Sequence, residues 1–189
     1  MQRKLSGNHA FRSRGEADRP SPRLRNLGLF PPPPAPLPHT EAELERLLVM
    51  LQQQHQSGTT VSIGHSRDFH SAAAANAFSS ACRELGYRVS AVVDWPEDAA
   101  SWLRQAQRLT AGAPDAWVIA AAVPGFAQLS RRLVHSTRWT ARRTFAFASL
   151  ADPMCAALAG PEVLDGLRGA TSAGGSWAIS GNEVVRDAD

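Results

Sequence analysis

The stretch Val61–Ser71, VSIGHSRDFHS, constrains this chain more than any other. A short apolar segment carrying Val61 and Ile63 ends at Gly64. Small and polar residues follow, and an Ala-rich run from Ala72 closes at Gly86. Read physically, this is a strand, a tight turn, and a helix with a glycine stop. In a parallel α/β sheet such a turn faces the ligand crevice, so the stretch indicates both an architecture and a place for a site.

The units around it repeat the pattern. Thr40-Glu41-Ala42-Glu43 is a capping box, and Leu44, Leu47, Leu48 and Leu51 recur at helical spacing, so a helix is expected from Glu41 towards Gln56. Strand one covers Thr59–Ile63, and its helix runs over Phe69–Leu85. Strand two is Arg88–Val93, followed by a helix over Glu97–Thr110. Strand three, Ala116–Ala122, is apolar throughout and therefore buried on both faces. A helix opened by Pro124-Gly125 leads to strand four, Thr144–Ser149, and then to a short helix from Pro153 to Leu158. Arg168–Ile179 reads as one or two weak strands interrupted by Gly174-Gly175. Strands alternating with helices predict right-handed βαβ units. The expected fold is a three-layer α/β/α sandwich with a mostly parallel sheet of about five strands, periplasmic-binding-like or flavodoxin-like in topology.

Composition divides the chain. Residues 1–26 hold seven of the 20 Lys and Arg residues against two acids, Glu16 and Asp18. Residues 1–39 thus read as a disordered basic tail ending in a stiff proline linker, PPPPAPLP. Residues 40–180 read as the α/β domain, and residues 181–189 as a polar end. No aromatic or motif pattern accompanies the basic charge, so nucleic acid is not an expected partner. No apolar run is long enough for a membrane span. The N-terminus lacks a secretory apolar region, and a cytoplasmic placement is expected unless the reading frame has lost its beginning. Cys82 and Cys155 read as buried free thiols. Among the five tryptophans, Trp117 is expected in the core, and Trp95 and Trp139, at element ends, partly exposed.

Residues 41–173 resemble one lobe of a type 1 periplasmic-binding protein, in particular the branched-chain amino-acid receptor family of ABC transporter substrate-binding proteins. The resemblance rests on the opening helix, the Arg67-Asp68-Phe69 turn, ELGYRV (Glu84–Val89) and APDAWVIAA (Ala113–Ala121). FAFASLADP (Phe145–Pro153) and LAGPEVLDGLRGATS (Leu158–Ser172) extend it. It implies a non-catalytic domain that binds or senses a small, amino-acid-like ligand. Family members clasp their ligand between two lobes, so a second chain or another copy is implied as the source of the missing one. Ligand contacts are then expected at the C-terminal ends of the strands: Ser66, Arg67, Asp68 and Phe69 after strand one; Val123, Pro124 and Phe126 after strand three; Ser149 and Asp152 after strand four. No cofactor is expected.

Two other readings stay open. His65, Asp68, His70 and Asp94 gather imidazoles and carboxylates near strand ends, a donor set suited to a divalent metal. The layout faintly resembles the first motif of DHH-type phosphoesterases, although no Asp-His-His run occurs. A structural or interaction module with a vestigial pocket is the third reading. Other enzyme signals are missing: there is no phosphate loop, nucleophile elbow or dinucleotide fingerprint. A non-catalytic role is therefore favoured.

Overall fold

The computed structural model describes residues 32–187. The basic part of the expected tail and the last two residues lie outside them. Residues 32–40 form neither helix nor strand. The order of elements is α1 (Glu41–Gln54), β1 (Thr60–Ser66), α2 (Phe69–Glu84), β2 (Arg88–Trp95), α3 (Leu103–Thr110), β3 (Ala116–Ala120) and α4 (Val123–Ser136). It continues with β4 (Thr144–Ala146), α5 (Pro153–Ala159), β5 (Arg168–Ala170), β6 (Ser176–Ser180) and β7 (Glu183–Arg186).

One seven-stranded sheet has the order β2-β1-β3-β4-β5-β6-β7. The first five strands are parallel, and β6 and β7 add an antiparallel hairpin at one edge. Chain order reverses between β1 and β3, the switch point where α/β sheets open a crevice. Strand β3 shows how the layers form. Its alternate residues Trp117 and Ile119 join an apolar cluster with α3, α4 and α5, whereas Ala116, Val118 and Ala120 join a second cluster with α1 and α2. A period of two divides one strand between two cores, giving the expected three layers.

Local chemistry sets the boundaries. The Thr40 hydroxyl accepts from Glu43 N at 3.1 Å while the Glu43 carboxylate accepts from Thr40 N at 3.4 Å, the reciprocal capping box. The Thr40 hydroxyl also donates to Ser172 O at 2.6 Å, tying the start of α1 to the end of β5. Gly64, central in β1, admits Trp95: a Cβ there would lie 2.6 Å from the indole.

Four expectations need correction. The helix predicted from Glu97 begins only at Leu103, because the preceding loop is drawn toward α4 by Glu97, whose carboxylate accepts from Gly125 N at 2.7 Å. Strand four is shorter than expected and passes into a 3₁₀ turn at Ala148–Leu150. Trp95 and Trp139 are buried, not partly exposed, because both pack into the cluster under α3 and α4. The polar C-terminal end contributes β7, paired with β6 across a turn in which Gly181 takes φ +61°. As expected, Trp117 is in the core, and Cys82 and Cys155 are buried free thiols. Burial pushes the Cys82 thiol up to about 12 and raises that of Cys155 as well.

Candidate functional site

The turns after the parallel strands meet at the C-terminal edge of the sheet, where a cavity of about 480 Å³ opens. This size suits a small organic ligand. Its floor is the end of β3 at Ala120, with Ala74 of α2 and Phe147 after β4 beside it. Glu43 of α1, His70 and Ser71 of α2, Ser149 and Asp152 of the β4–α5 turn, and Arg186 of β7 bring polar groups to the wall. The remaining side is formed by residues 34–39, the end of the proline segment. This strap is held by the His39 ring, which meets Phe147 edge-on at 6.1 Å between centroids, and by the Thr40 cap that follows.

The two carboxylates of the wall are already engaged. Glu43 accepts from Ala148 N at 2.5 Å as well as from Thr40 N. Burial pushes its carboxyl above the ordinary glutamate range, and the two N–H groups work against that rise. Asp152 caps α5 by accepting from Met154 N at 2.8 Å. Arg186 donates to Ala151 O at 3.0 Å, which fixes its guanidinium beside the mouth. Ser71 differs from these. It is 3% exposed, and its hydroxyl has no hydrogen-bond partner among the described residues.

The residues expected at the site are divided by the fold. Ser149 and Asp152 line the cavity, as does His70 from the metal set. Asp68 stands at the N-cap of α2 and accepts from Ser71 N at 2.9 Å. Arg67 pairs with Asp94 at 2.5 Å on the surface; that hydrogen bond holds the Asp94 carboxyl below its usual range. Phe69 is 80% exposed. Val123 and Phe126 are fully buried in the cluster under α3 and α4, on the opposite face of the sheet from the cavity. Ser66 is also buried; its Oγ accepts from Ala122 N at 2.9 Å.

The four residues of the metal alternative do not form one cluster. His65 Nδ1 meets Ser66 O at 2.8 Å, Asp94 is held by Arg67, Asp68 caps a helix, and His70 stacks edge-on against Phe69. Among the described residues, no group of three or more His, Cys, Asp or Glu side chains is placed to hold a metal ion.

Sequence reasoning missed Glu43, Ser71, Arg186 and the strap. Glu43 is recognisable as a capping residue, but its second role depends on Ala148, 105 residues away. Arg186 lies in a strand that the polar end does not announce. Glu97 was also missed, and it gives the switch point its character. Its carboxylate takes the Gly125 N–H at the start of α4, a group that would otherwise be available to a ligand anion. Burial raises the Glu97 carboxyl above the ordinary range.

Solved structures sharing this arrangement include a protein from Rhodospirillum rubrum provisionally described as a branched-chain amino acid ABC transporter. It is 20% identical, with TM-score 0.57, over 68% of this chain and 36% of its own. An extracellular ligand-binding receptor from Rhodopseudomonas palustris HaA2 matches at 19% identity and TM-score 0.56, over 68% of this chain and 34% of its own. A substrate-binding periplasmic protein from Ralstonia solanacearum matches at 16% identity and TM-score 0.52, over 71% of this chain and 37% of its own. The chain has the type 1 periplasmic-binding fold. It spans about a third of the length of these structures. No family model and no curated protein matches it.

The periplasmic-binding fold corrects one expectation. A cytoplasmic placement does not stand, because the structures sharing the fold include an extracellular receptor and a periplasmic protein. No helix among the described residues is long and apolar enough to cross a membrane.

Proposed function

We propose that this chain is a non-catalytic binding domain of periplasmic-binding type, taking a small organic ligand of amino-acid size at the C-terminal edge of its sheet. The observation that carries the reading is the cavity between α2 and the β4–α5 turn. It has apolar walls with a few convergent polar groups, the usual composition of a small-molecule site. Ser149 and Asp152 are its contacts from the set expected by resemblance. A second chain or second copy facing the same edge completes the proposal, since the chain spans about a third of the structures whose fold it shares.

A thermal-shift screen of amino acids and small organic acids on the full chain tests this reading. A ligand present at about a hundred times its Kd adds about 2.7 kcal/mol of stability, read as a rise of several degrees. Ser149→Trp and, separately, His70→Trp would fill the cavity from its rim and abolish that rise. Shifts that persist in both variants, or no shift with any compound, would overturn the assignment. Sedimentation of the chain with and without the hit compound reads the second copy directly.

A further inference from the structure

At the edge opposite the cavity, where the parallel strands begin, arginines line up along the sheet. Arg88 opens β2, Arg143 directly precedes β4, and Arg168 opens β5. Lys4 is the only lysine of the chain, so each long basic side chain of the described residues carries a guanidinium. That planar fork can grip a carboxylate through two hydrogen bonds. The three along this edge are held by uncharged acceptors. Arg88 Nε donates to Gly58 O at 3.2 Å. Arg143 donates to Asp115 O at 2.7 Å and to Pro114 O at 2.6 Å, and Arg168 to Arg142 O at 2.5 Å. Arg143 also lies over the Trp117 ring, 5.0 Å from its centroid, and Arg168 over that of Phe145 at 5.4 Å. Carbonyls and rings fix a guanidinium in place but leave its charge uncancelled. None of the three forms an ion pair among the described residues, whereas their neighbour Arg142 is matched by Asp165.

Beside them a shallow polar depression is lined by Gln54, His55, Ser57, Asp115 and Arg143. Burial holds the His55 imidazole below its usual range; Asp115 opposes this, and Arg143 and Arg168 both add to it. Asp115 thus sets one negative charge against the three guanidiniums. Neighbouring strands stand about 4.8 Å apart, which puts Arg143 roughly 14 Å from Arg88 and Arg168 one step further on. No single small anion reaches the whole row. An extended peptide does, because side chains on one face of it recur about every 7 Å. The rings beneath Arg143 and Arg168 are buried and offer no face to a nucleobase. Asp115 would repel an unbroken run of phosphates, whereas a peptide can place an uncharged residue opposite it.

We infer that the N-terminal edge of the sheet, from Arg88 to Arg168, is a docking surface for an extended acidic segment of a partner protein. It lies away from the cavity and does not depend on what the cavity binds.

The test is fluorescence anisotropy of the full chain with a labelled octapeptide alternating Asp and Ser, and with its Asn counterpart. The acidic peptide is expected to bind at least tenfold more tightly than the neutral one, and to weaken as salt is raised. Residues 1–26 are themselves basic, so the edge variants decide. Arg88→Ala and Arg143→Ala are each expected to weaken the acidic peptide at least threefold, and Arg143→Lys, which keeps the charge and loses the fork, by less. Arg104→Ala, on α3 away from this edge, should leave it unchanged. Arg143 also ties down the Pro114–Asp115 turn, so if its variants do not fold, Arg88→Ala and Arg88→Glu carry the test, the second weakening binding further.

Equal binding of the two peptides, unchanged affinity in the edge variants, or an equal loss in Arg104→Ala would overturn the inference. So would tighter binding to phosphatidylglycerol vesicles or to a single-stranded oligonucleotide than to the acidic peptide, if Arg88→Ala weakens that binding too. Ser149→Trp, which fills the cavity, should leave peptide binding intact, so the loss of either reading is seen separately from the other.

Discussion

Above β1 and β3 the C-terminal edge of the sheet is filled differently on its two faces. On the α3–α4 face the chain fills the space itself: Glu97 accepts from Gly125 N, Trp95 fills the space that Gly64 leaves, and Val123 and Phe126 are buried with them. On the α1–α2 face a cavity remains, Ser71 keeps an unpartnered hydroxyl, and an irregular strap forms one wall. The same kind of turn after parallel strands has produced a closed core on one face and an open pocket on the other. What separates them is whether a side chain from a neighbouring loop reaches the free donors. A strand-end position is therefore a necessary condition for a site in this fold, and occupancy by the protein's own groups decides the outcome.

The comparison breaks most severely through the packed face. A Cβ at Gly169 would lie 1.9 Å from Ala146 O and 2.7 Å from Trp177. Gly169→Ala should cost about 3 kcal/mol or more, read as a large drop in the urea midpoint or as loss of cooperative unfolding. Gly64→Ala, which meets the buried indole of Trp95, should cost about 1–3 kcal/mol in the same measurement.

Next in size is Glu97→Leu. It strands the Gly125 N–H and should cost about 1–3 kcal/mol. Glu97→Gln keeps an acceptor and should cost less, and it also sharpens the comparison through pH. Burial raises the folded carboxyl above the ordinary glutamate value of 4.5, so just above that value the folded chain holds more protons than the unfolded one. Stability then falls as pH rises through the raised value. Glu97→Gln should flatten that decline in a series of urea midpoints. A variant that declines as steeply as the parent would show that Glu97 is not its source; Glu43, raised for the same reason, would then carry the effect.

Thr40→Ala should cost about 1 kcal/mol from the lost cap. Because Thr40 also holds the strap to Ser172, the variant should loosen ligand binding more than its stability loss explains. The smallest effect belongs to the surface pair. Arg67→Ala removes an exposed contact with Asp94 and should change stability by less than about 1 kcal/mol. It should leave binding in the cavity unchanged, since Arg67 does not line it.

Periodicity and capping are local, and what depends on them is legible in the residues themselves. The Thr40–Glu43 box and the leucine spacing mark α1. The continuous apolar run marks β3 as a central strand, and the alternation of elements marks three layers and the turn after β1 as part of a ligand-facing edge. Ser149 and Asp152 fall at the cavity by the same reasoning, because a residue just past a parallel strand must face that edge.

The tertiary structure decided the rest, since the deciding contacts join residues far apart in the chain. The residue pattern puts Glu97 at the start of a helix, but its carboxylate is held by an N–H 28 residues away, and the helix starts six residues later. Val123 and Phe126 also follow a parallel strand, yet they turn into the core of the opposite face, a choice set by packing against α3 and α5. A proline run reads as a spacer wherever it occurs; only its docking through His39 onto Phe147 makes it a cavity wall. Sequence alone thus determined which elements form and which edge they present. Long-range hydrogen bonds and packing determined which part of that edge stayed open, because donors at strand ends are filled by whatever group the folded chain brings nearest.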